Sequence, residues 1–131
     1  MAKTKKVERP LSPHIFIYKP IWTMMLSIIH RATGAALYVG TALLVYWLIA
    51  LATSAEAFES ASWFMGSPFG LFIMFGYTWA MFHHMGGGIK HLAWDIGKGF
   101  ELDTVEIVAK IATIVPLVLT VLVWAIGLTI I

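Results

Sequence analysis

Three long stretches without a charged side chain limit what this chain can fold into. They are residues 32–55, 60–89 and 111–131, which contain 24, 30 and 21 residues. A helix needs about 20 apolar residues to cross the hydrocarbon core of a bilayer. Backbone groups in lipid must find their hydrogen-bond partners within the chain, and a helix pairs them internally. The pattern therefore predicts an all-α integral membrane protein with three transmembrane helices.

The composition supports a membrane protein with a single domain, residues 1–131. Hydrophobic residues make up 60% of the chain and charged residues 12%, whereas soluble domains carry about 25% charged residues. The chain has no cysteine, so it provides no disulfide, no thiolate metal site and no iron–sulfur ligand. We predict helices near residues 27–53, 68–94 and 105–130 in an up-down-up bundle. An N-terminal tail and interfacial segment at residues 1–26 would precede them.

The lysines and arginines predict the orientation of the bundle. All nine lie before or at the start of the first predicted helix or around the loop that joins the second and third: Lys3, Lys5, Lys6, Arg9, Lys19, Arg31, Lys90, Lys98 and Lys110. The positive-inside rule assigns that side to the cytoplasm of a bacterium or the matrix of a mitochondrion. We therefore expect a multi-pass protein of the bacterial inner (cytoplasmic) membrane, or of the mitochondrial inner membrane, with its N-terminus on the cytoplasmic or matrix side.

A first polar cluster lies at the start of the first predicted helix. Ser27, His30 and Arg31 are separated by three and four residues, so they share one helix face. A hydroxyl, an imidazole and a guanidinium on one face could bind an anion or a polar carbonyl group. The alternative is that Arg31 extends to the lipid phosphates and His30 is an ordinary helix-end residue.

A second polar cluster lies near the end of the second predicted helix. His84, Gly88, His91 and Asp95 form a narrow stripe on one helix face. Ionisable groups within a membrane are costly and are functional candidates for that reason. Histidine beside glycine suits haem, because imidazole ligates iron and glycine leaves room for a flat ring. The alternative is a glycine patch that packs helices around a buried, hydrogen-bonded histidine.

The spacing of the histidines limits how they could ligate one iron. His84 and His91 lie about 10.5 Å apart along the same face, at 1.5 Å per residue, so they cannot bind one iron from opposite sides. His83 points about 100° away from His84 and is the main rival to it. A second axial ligand would therefore be His30 or a histidine of a partner chain.

The polar motifs resemble those of the cytochrome b556 family, the haem b-binding membrane-anchor subunits of succinate dehydrogenase in respiratory complex II. The resemblance rests on residues 9–14 (RPLSPH), 27–34 (SIIHRATG) and 84–91 (HMGGGIKH), with Asp95 after them. It extends over nearly the whole chain in motif order, number of spans and orientation. One departure is Lys90, where many relatives have arginine; lysine keeps the charge but loses the bidentate geometry.

The resemblance implies the cofactor and the substrate of the chain. His84 matches the axial haem b ligand, so the iron would be bound by His84 here and by a histidine of a second small anchor subunit. Ser27 and Arg31 match residues of the ubiquinone pocket.

For the remaining polar residues, the resemblance implies a role less directly. His30 and His91 lie where the family places groups around the haem and the pocket. Asp95 could help to supply protons.

The resemblance also implies partners: the second anchor subunit, an iron–sulfur subunit, a flavoprotein subunit and membrane lipid, with no nucleic acid. The chain would couple succinate oxidation in the tricarboxylic acid cycle to the electron-transport chain, without oxidising succinate itself. Two other functions stay open: a haem-free structural anchor, and a small transporter with a histidine and arginine path. Transporters usually contain repeated spans, and this chain shows none.

Overall fold

The computed structural model of the chain describes Ile17 and residues 19–130, and the regular secondary structure of this part is helical throughout. Four helices follow one another: α1 (Trp22–Thr53), α2 (Ala55–Gly66), α3 (Pro68–Asp95) and α4 (Leu102–Ile130). Most of the predicted N-terminal tail, including the motif at residues 9–14, lies outside the described residues.

Helix α2 occupies the segment that the sequence predicts as the first loop. Ser54 has extended backbone and ends α1, and its side chain accepts a hydrogen bond from the backbone N–H of Ala57 at 3.1 Å. A serine cap and Glu56 in the first turn both stabilise a helix start. At 12 residues α2 is about 18 Å long, at 1.5 Å per residue, which is too short to cross a bilayer of about 30 Å.

The long helices differ in part from the predicted bounds. Helix α1 begins at Trp22 rather than near residue 27, so the last residues of the predicted interfacial segment are helical. The residue before it, Ile21, makes no side-chain cap, so the sequence carries no start signal there. Helix α4 begins at Leu102 rather than near residue 105. Helix α3 begins at Pro68 as predicted, with Ser67 as its N-cap.

Two helices among the described residues, α1 and α4, are long and apolar enough to cross a membrane. Helix α3 has 28 residues, which is sufficient length, but glycines, histidines and terminal charges make it less apolar. The count of three transmembrane helices is therefore not confirmed by composition and length alone.

Helix α3 lies at the centre of the bundle and packs against both α1 and α4. His30 of α1 contacts His84, whereas Thr41, later in α1, contacts Tyr77, earlier in α3. Helices α1 and α3 are therefore antiparallel. Trp124 of α4 donates a hydrogen bond to Thr78 of α3.

Eight of the eleven buried positions in the described part of the bundle are occupied by glycine, alanine or threonine. Those buried in the described part of the chain are Leu26, Thr33, Ala50, Ala61, Gly70, Ala80, His83, Gly87, Ala109, Pro116 and Thr120. Small residues at helix contacts are typical of membrane bundles, because they let the helix backbones approach closely. Most of the large apolar side chains are exposed and are thus available to lipid or to other chains.

The turn between α3 and α4 is organised around Trp94. Gly97 and Gly99 have φ of 75° and 80°, a backbone conformation that favours glycine. The indole N–H of Trp94 donates to the carbonyl oxygen of Gly99 at 3.1 Å, and the ammonium of Lys90 lies 4.6 Å from the centre of the indole ring. The turn therefore fixes the end of α3 that carries the histidines.

Candidate functional site

Two histidines join α1 to α3 through a pair of reciprocal hydrogen bonds. The Nδ1 of His84 lies 3.0 Å from the backbone oxygen of His30, and the Nε2 of His30 lies 3.2 Å from the backbone oxygen of His84. A carbonyl oxygen can only accept, so each of these ring nitrogens is a donor. We call this arrangement the imidazole clasp: the His30 and His84 side chains with the two carbonyls that they bind.

The two rings of the clasp also stack face to face. Their centroids are 4.0 Å apart and their planes differ by 9°. Glycine makes this approach possible on both helices. A Cβ at Gly87 would overlap the His30 ring, and a Cβ at Gly34 would lie 3.0 Å from Cε1 of His84.

The clasp determines which nitrogen of His84 remains available. With its proton on Nδ1, the neutral imidazole carries its lone pair on Nε2. The hydroxyl of Thr33 donates to the same His30 carbonyl at 2.9 Å and lies 3.4 Å from Nδ1 of His84. Among the described residues, no hydrogen bond joins Nε2 of His84 to another protein group. A histidine held by Nδ1 with Nε2 free has the form of a metal ligand.

The donor set suits an iron that brings its own equatorial ligands. Within residues 19–130, no group of three or more histidine or acidic side chains could hold a metal ion. A haem needs only axial ligands from protein, so a single available imidazole nitrogen in the membrane is a fitting donor.

His83, the sequence rival of His84, has different surroundings. Its side chain is 4% exposed and stacks on Trp79 with a centroid distance of 5.3 Å. Its Nε2 is the one buried side-chain nitrogen or oxygen in the described part of the chain without a hydrogen-bond partner. Within the described residues, His83 makes no hydrogen bond that would hold one ring nitrogen while presenting the other.

The other predicted site residues lie near the clasp at the same end of the bundle. Arg31 donates a hydrogen bond to the hydroxyl of Ser27 at 3.3 Å, so these two side chains are brought together. The ring of His91 lies edge-on to that of His30, with centroids 5.3 Å apart. Asp95 is exposed and lies one helical turn beyond His91, and the hydrogen bonds of the clasp within the described residues do not include its carboxylate.

Three residues that matter here were not assigned a role by sequence reasoning: Thr33, Gly34 and Gly87. The predicted stripe contains Gly88, but the glycine that contacts α1 is Gly87, whereas Gly86 and Gly88 face open space. The signal for Gly87 was available, because it lies three residues after His84 and is therefore near the same face. Choosing between Gly87 and Gly88 requires the rotation of α3 relative to α1.

A groove of about 620 Å³ runs between α1 and α3 beyond the clasp. Its walls are almost wholly apolar and include a set of small residues: Ala32, Ala36, Gly40, Gly76 and Ala80. Small residues spaced four apart are the pattern with which membrane helices receive a neighbour.

Comparison with known proteins places the chain in a family. Residues 5–123 match the family described as succinate dehydrogenase/fumarate reductase transmembrane subunit. The chain belongs to this family. The matched range includes all of α1 and α3, and hence every residue of the imidazole clasp.

Individual relatives within the family carry consistent names. The succinate dehydrogenase cytochrome b556 subunit of Paracoccus denitrificans is 40% identical over 103 residues, 79% of each chain. The subunit of the same name from Rickettsia conorii is 38% identical over 127 residues, 95% of this chain and 99% of the relative. The mitochondrial cytochrome b560 subunit of Sus scrofa is 40% identical over 99 residues, 72% of this chain and 57% of the relative.

Family membership confirms the resemblance drawn from the motifs. As a member, the chain is a membrane subunit of a succinate dehydrogenase complex, an oxidoreductase, and it associates with other subunits of that complex.

Proposed function

We propose that the chain is the haem b-binding anchor of a succinate:ubiquinone oxidoreductase, with His84 as its axial ligand and Ser27 and Arg31 in the ubiquinone site. It anchors the flavoprotein and iron–sulfur subunits, which oxidise succinate, and oxidises none itself. In a bacterium it lies in the inner membrane with its N-terminus in the cytoplasm.

One observation carries the haem assignment: Nδ1 of His84 is held by the carbonyl of His30, which leaves the lone pair on Nε2. Metal-binding histidines almost always donate their other ring nitrogen to such a partner, because this fixes the tautomer and the ring orientation. Haem b bound there supplies a one-electron store beside the quinone site.

A histidine of the second small anchor subunit would hold the haem iron together with His84. His30, the candidate within this chain, stacks face to face on His84 at 4.0 Å. Axial imidazoles bind one iron from opposite faces of the haem, and two rings stacked on each other cannot do so. The groove of small residues between α1 and α3 gives a helix of the partner chain a place to pack.

Ser27 and Arg31 are suited to bind a quinone carbonyl. The guanidinium of Arg31 is exposed and already shares a hydrogen bond with the Ser27 hydroxyl. Both groups can donate to a carbonyl oxygen, and the charged donor stabilises the negative charge that develops as the ring is reduced. His91 and Asp95 follow at the same end of α3, where they border the site and Asp95 can supply a proton.

Helix α3 is the third span in this proposal. It is 28 residues long, about 42 Å at 1.5 Å per residue, and residues 68–89 carry no Lys, Arg, Asp or Glu. Its packing between α1 and α4 shields its polar residues from lipid.

The test is the reduced-minus-oxidised absorbance of the complex purified with its other subunits. We expect a b-type spectrum in the wild type and its loss in His84→Ala. The matched control is His83→Leu on the adjacent residue, which we expect to retain the spectrum because His83 ligates nothing. A spectrum that persists unchanged in His84→Ala would remove the ligand assignment.

The competing function is a haem-free structural anchor. In its favour, Gly87 accommodates a side chain of α1, which is a helix-packing role. The same purified complex decides between the two, because a haem-free anchor has no b-type spectrum in any variant.

A further inference from the structure

The imidazole clasp makes more contacts with His84 than are needed to fix the tautomer of a metal ligand. One hydrogen bond from Nδ1 already fixes the tautomer. The His30 ring adds a flat wall parallel to that of His84, and its Nε2 bonds back to the carbonyl of His84. His84 is thereby restrained in the position of its backbone and in the plane of its ring.

We propose that His30 is a positioning residue that sets the plane of the His84 imidazole. Gly87 has no side chain, and this leaves the space that the His30 ring occupies. This inference rests on the proposed haem ligation by His84. It gives His30 a role that excludes axial ligation and requires no contact with the haem.

The ring of His84 is held in its plane by contacts with α1. A ring held only by Nδ1 keeps freedom to rotate about that hydrogen bond. Stacking on His30 removes this rotation, because a turn of the ring would drive its edge into the parallel ring 4.0 Å away. Gly34 leaves room for the Cε1 edge of the His84 ring, because an added Cβ there would lie only 3.0 Å from Cε1.

Three consecutive glycines provide a matched control within one helix turn. A methyl at Gly87 overlaps the His30 ring, whereas a methyl at Gly86 meets nothing within 4 Å. Alanine at either position changes helix propensity by the same amount, in the stabilising direction. A difference between the two variants therefore reports the displacement of His30 and not a general effect on α3.

If His30 positions His84, disturbing it should change the electronic structure and the potential of the haem iron, and should leave the amount of bound haem unchanged. The orientation of an axial imidazole and its hydrogen bonds tune the electronic structure and the potential of the iron. Purified complexes of the wild type, Gly86→Ala and Gly87→Ala should be compared by low-temperature electron paramagnetic resonance and by redox titration. We expect Gly87→Ala to shift the largest g value and the midpoint potential, and Gly86→Ala to match the wild type.

Two substitutions of His30 keep the test decisive if Gly87→Ala fails to assemble. His30→Phe keeps a flat ring without the N–H donor, and His30→Gln keeps a donor without the ring. We expect His30→Phe to stay closer to the wild-type g values than His30→Gln does, because stacking sets the plane. Wild-type g values and potential in both, with haem that still depends on His84, would overturn the positioning role alone. Haem that survives His84→Ala would instead overturn the proposed function.

Discussion

The adjacent histidines at positions 83 and 84 differ in the hydrogen bonds that their ring nitrogens make. Successive side chains on a helix point about 100° apart, so His84 reaches α1 while His83 is buried beside Trp79. An unpaired buried nitrogen costs about 1–3 kcal/mol, which His83 incurs and His84 does not. The bonded Nδ1 of His84 leaves Nε2 available, which is the reason for proposing His84 as the ligand.

Arg31→Ala tests the quinone site at the scale of one residue. A hydrogen bond from a charged group contributes about 1.5–3 kcal/mol, so we expect the kcat/KM of ubiquinone reduction to fall about 10- to 150-fold. Ser27→Ala removes a neutral donor of about 1 kcal/mol and should cost about fivefold.

The control for both variants is succinate oxidation with a soluble dye as electron acceptor. The proposed function assigns this activity to the other subunits, so it should keep its wild-type rate. A loss of dye reduction equal to the loss of quinone reduction would show a general assembly defect and contradict the assignment.

Spacing along the chain predicted that His30, His84 and His91 lie at one end of two helices, but it left the choice between His83 and His84 open. It could not assign the protonated nitrogen of His84 or select Gly87. Both depend on how α1 and α3 are rotated against each other, and that rotation depends on contacts between residues more than 50 positions apart.

At the scale of the helices, small residues determine how closely α1 and α3 approach. Gly40 faces the ring of Tyr77, and a Cβ at Gly40 would overlap that ring. The hydroxyl of Tyr77 lies 3.3 Å from that of Thr41, one residue further along α1. The contact therefore holds the helix pair together on the far side of the groove from the clasp.

Gly40→Ala should lower the stability of the helix pair. Overpacking of a close contact typically costs about 1–3 kcal/mol, so we expect a lower midpoint temperature for the complex in detergent. Gly127→Ala in α4 is the matched control, because a Cβ at Gly127 meets nothing within 4 Å and Gly127 lies outside the groove between α1 and α3.

The double variant Gly40→Ala with Tyr77→Ala shows whether the two positions are coupled. Removal of the ring makes room for the methyl, so the added cost of Gly40→Ala should largely disappear in the Tyr77→Ala background. Strictly additive losses would contradict a direct contact between these positions.

The three long helices were predictable because a charge-free run of this length must pair its backbone groups internally in lipid, and a helix does so. Helix α2 was missed because Glu56 and Glu59 indicate a polar loop, although a serine cap and acidic first turn also start helices. The early start of α1 was missed because Ile21 gives no capping signal.

At the scale of the whole molecule, the chain is incomplete as a bundle. Its buried positions hold small residues, while large apolar side chains such as Tyr38, Phe72 and Leu122 point outward. The available Nε2 of His84 and the open groove between α1 and α3 agree with this. The fold therefore needs lipid and further helices around it, as expected for one membrane subunit of a larger complex.

The absence of cysteine permits a direct test of the three crossings. Single substitutions Ser60→Cys, in α2, and Glu101→Cys, between α3 and α4, place thiols at exposed positions without removing a cation. With a membrane-impermeant maleimide, we expect Ser60→Cys to react in intact spheroplasts and Glu101→Cys only in inverted vesicles. Labelling of both from one side would mean that α3 does not cross.

The most direct test of the central assignment is an electron cryomicroscopy structure of the assembled complex, in which the ligands of the haem iron can be seen. We predict that Nε2 of His84 binds the iron, that Nδ1 bonds the carbonyl of His30, and that the opposite ligand is a histidine of another chain. Iron bound by His83 or His30, or a complex without haem density, would contradict the account.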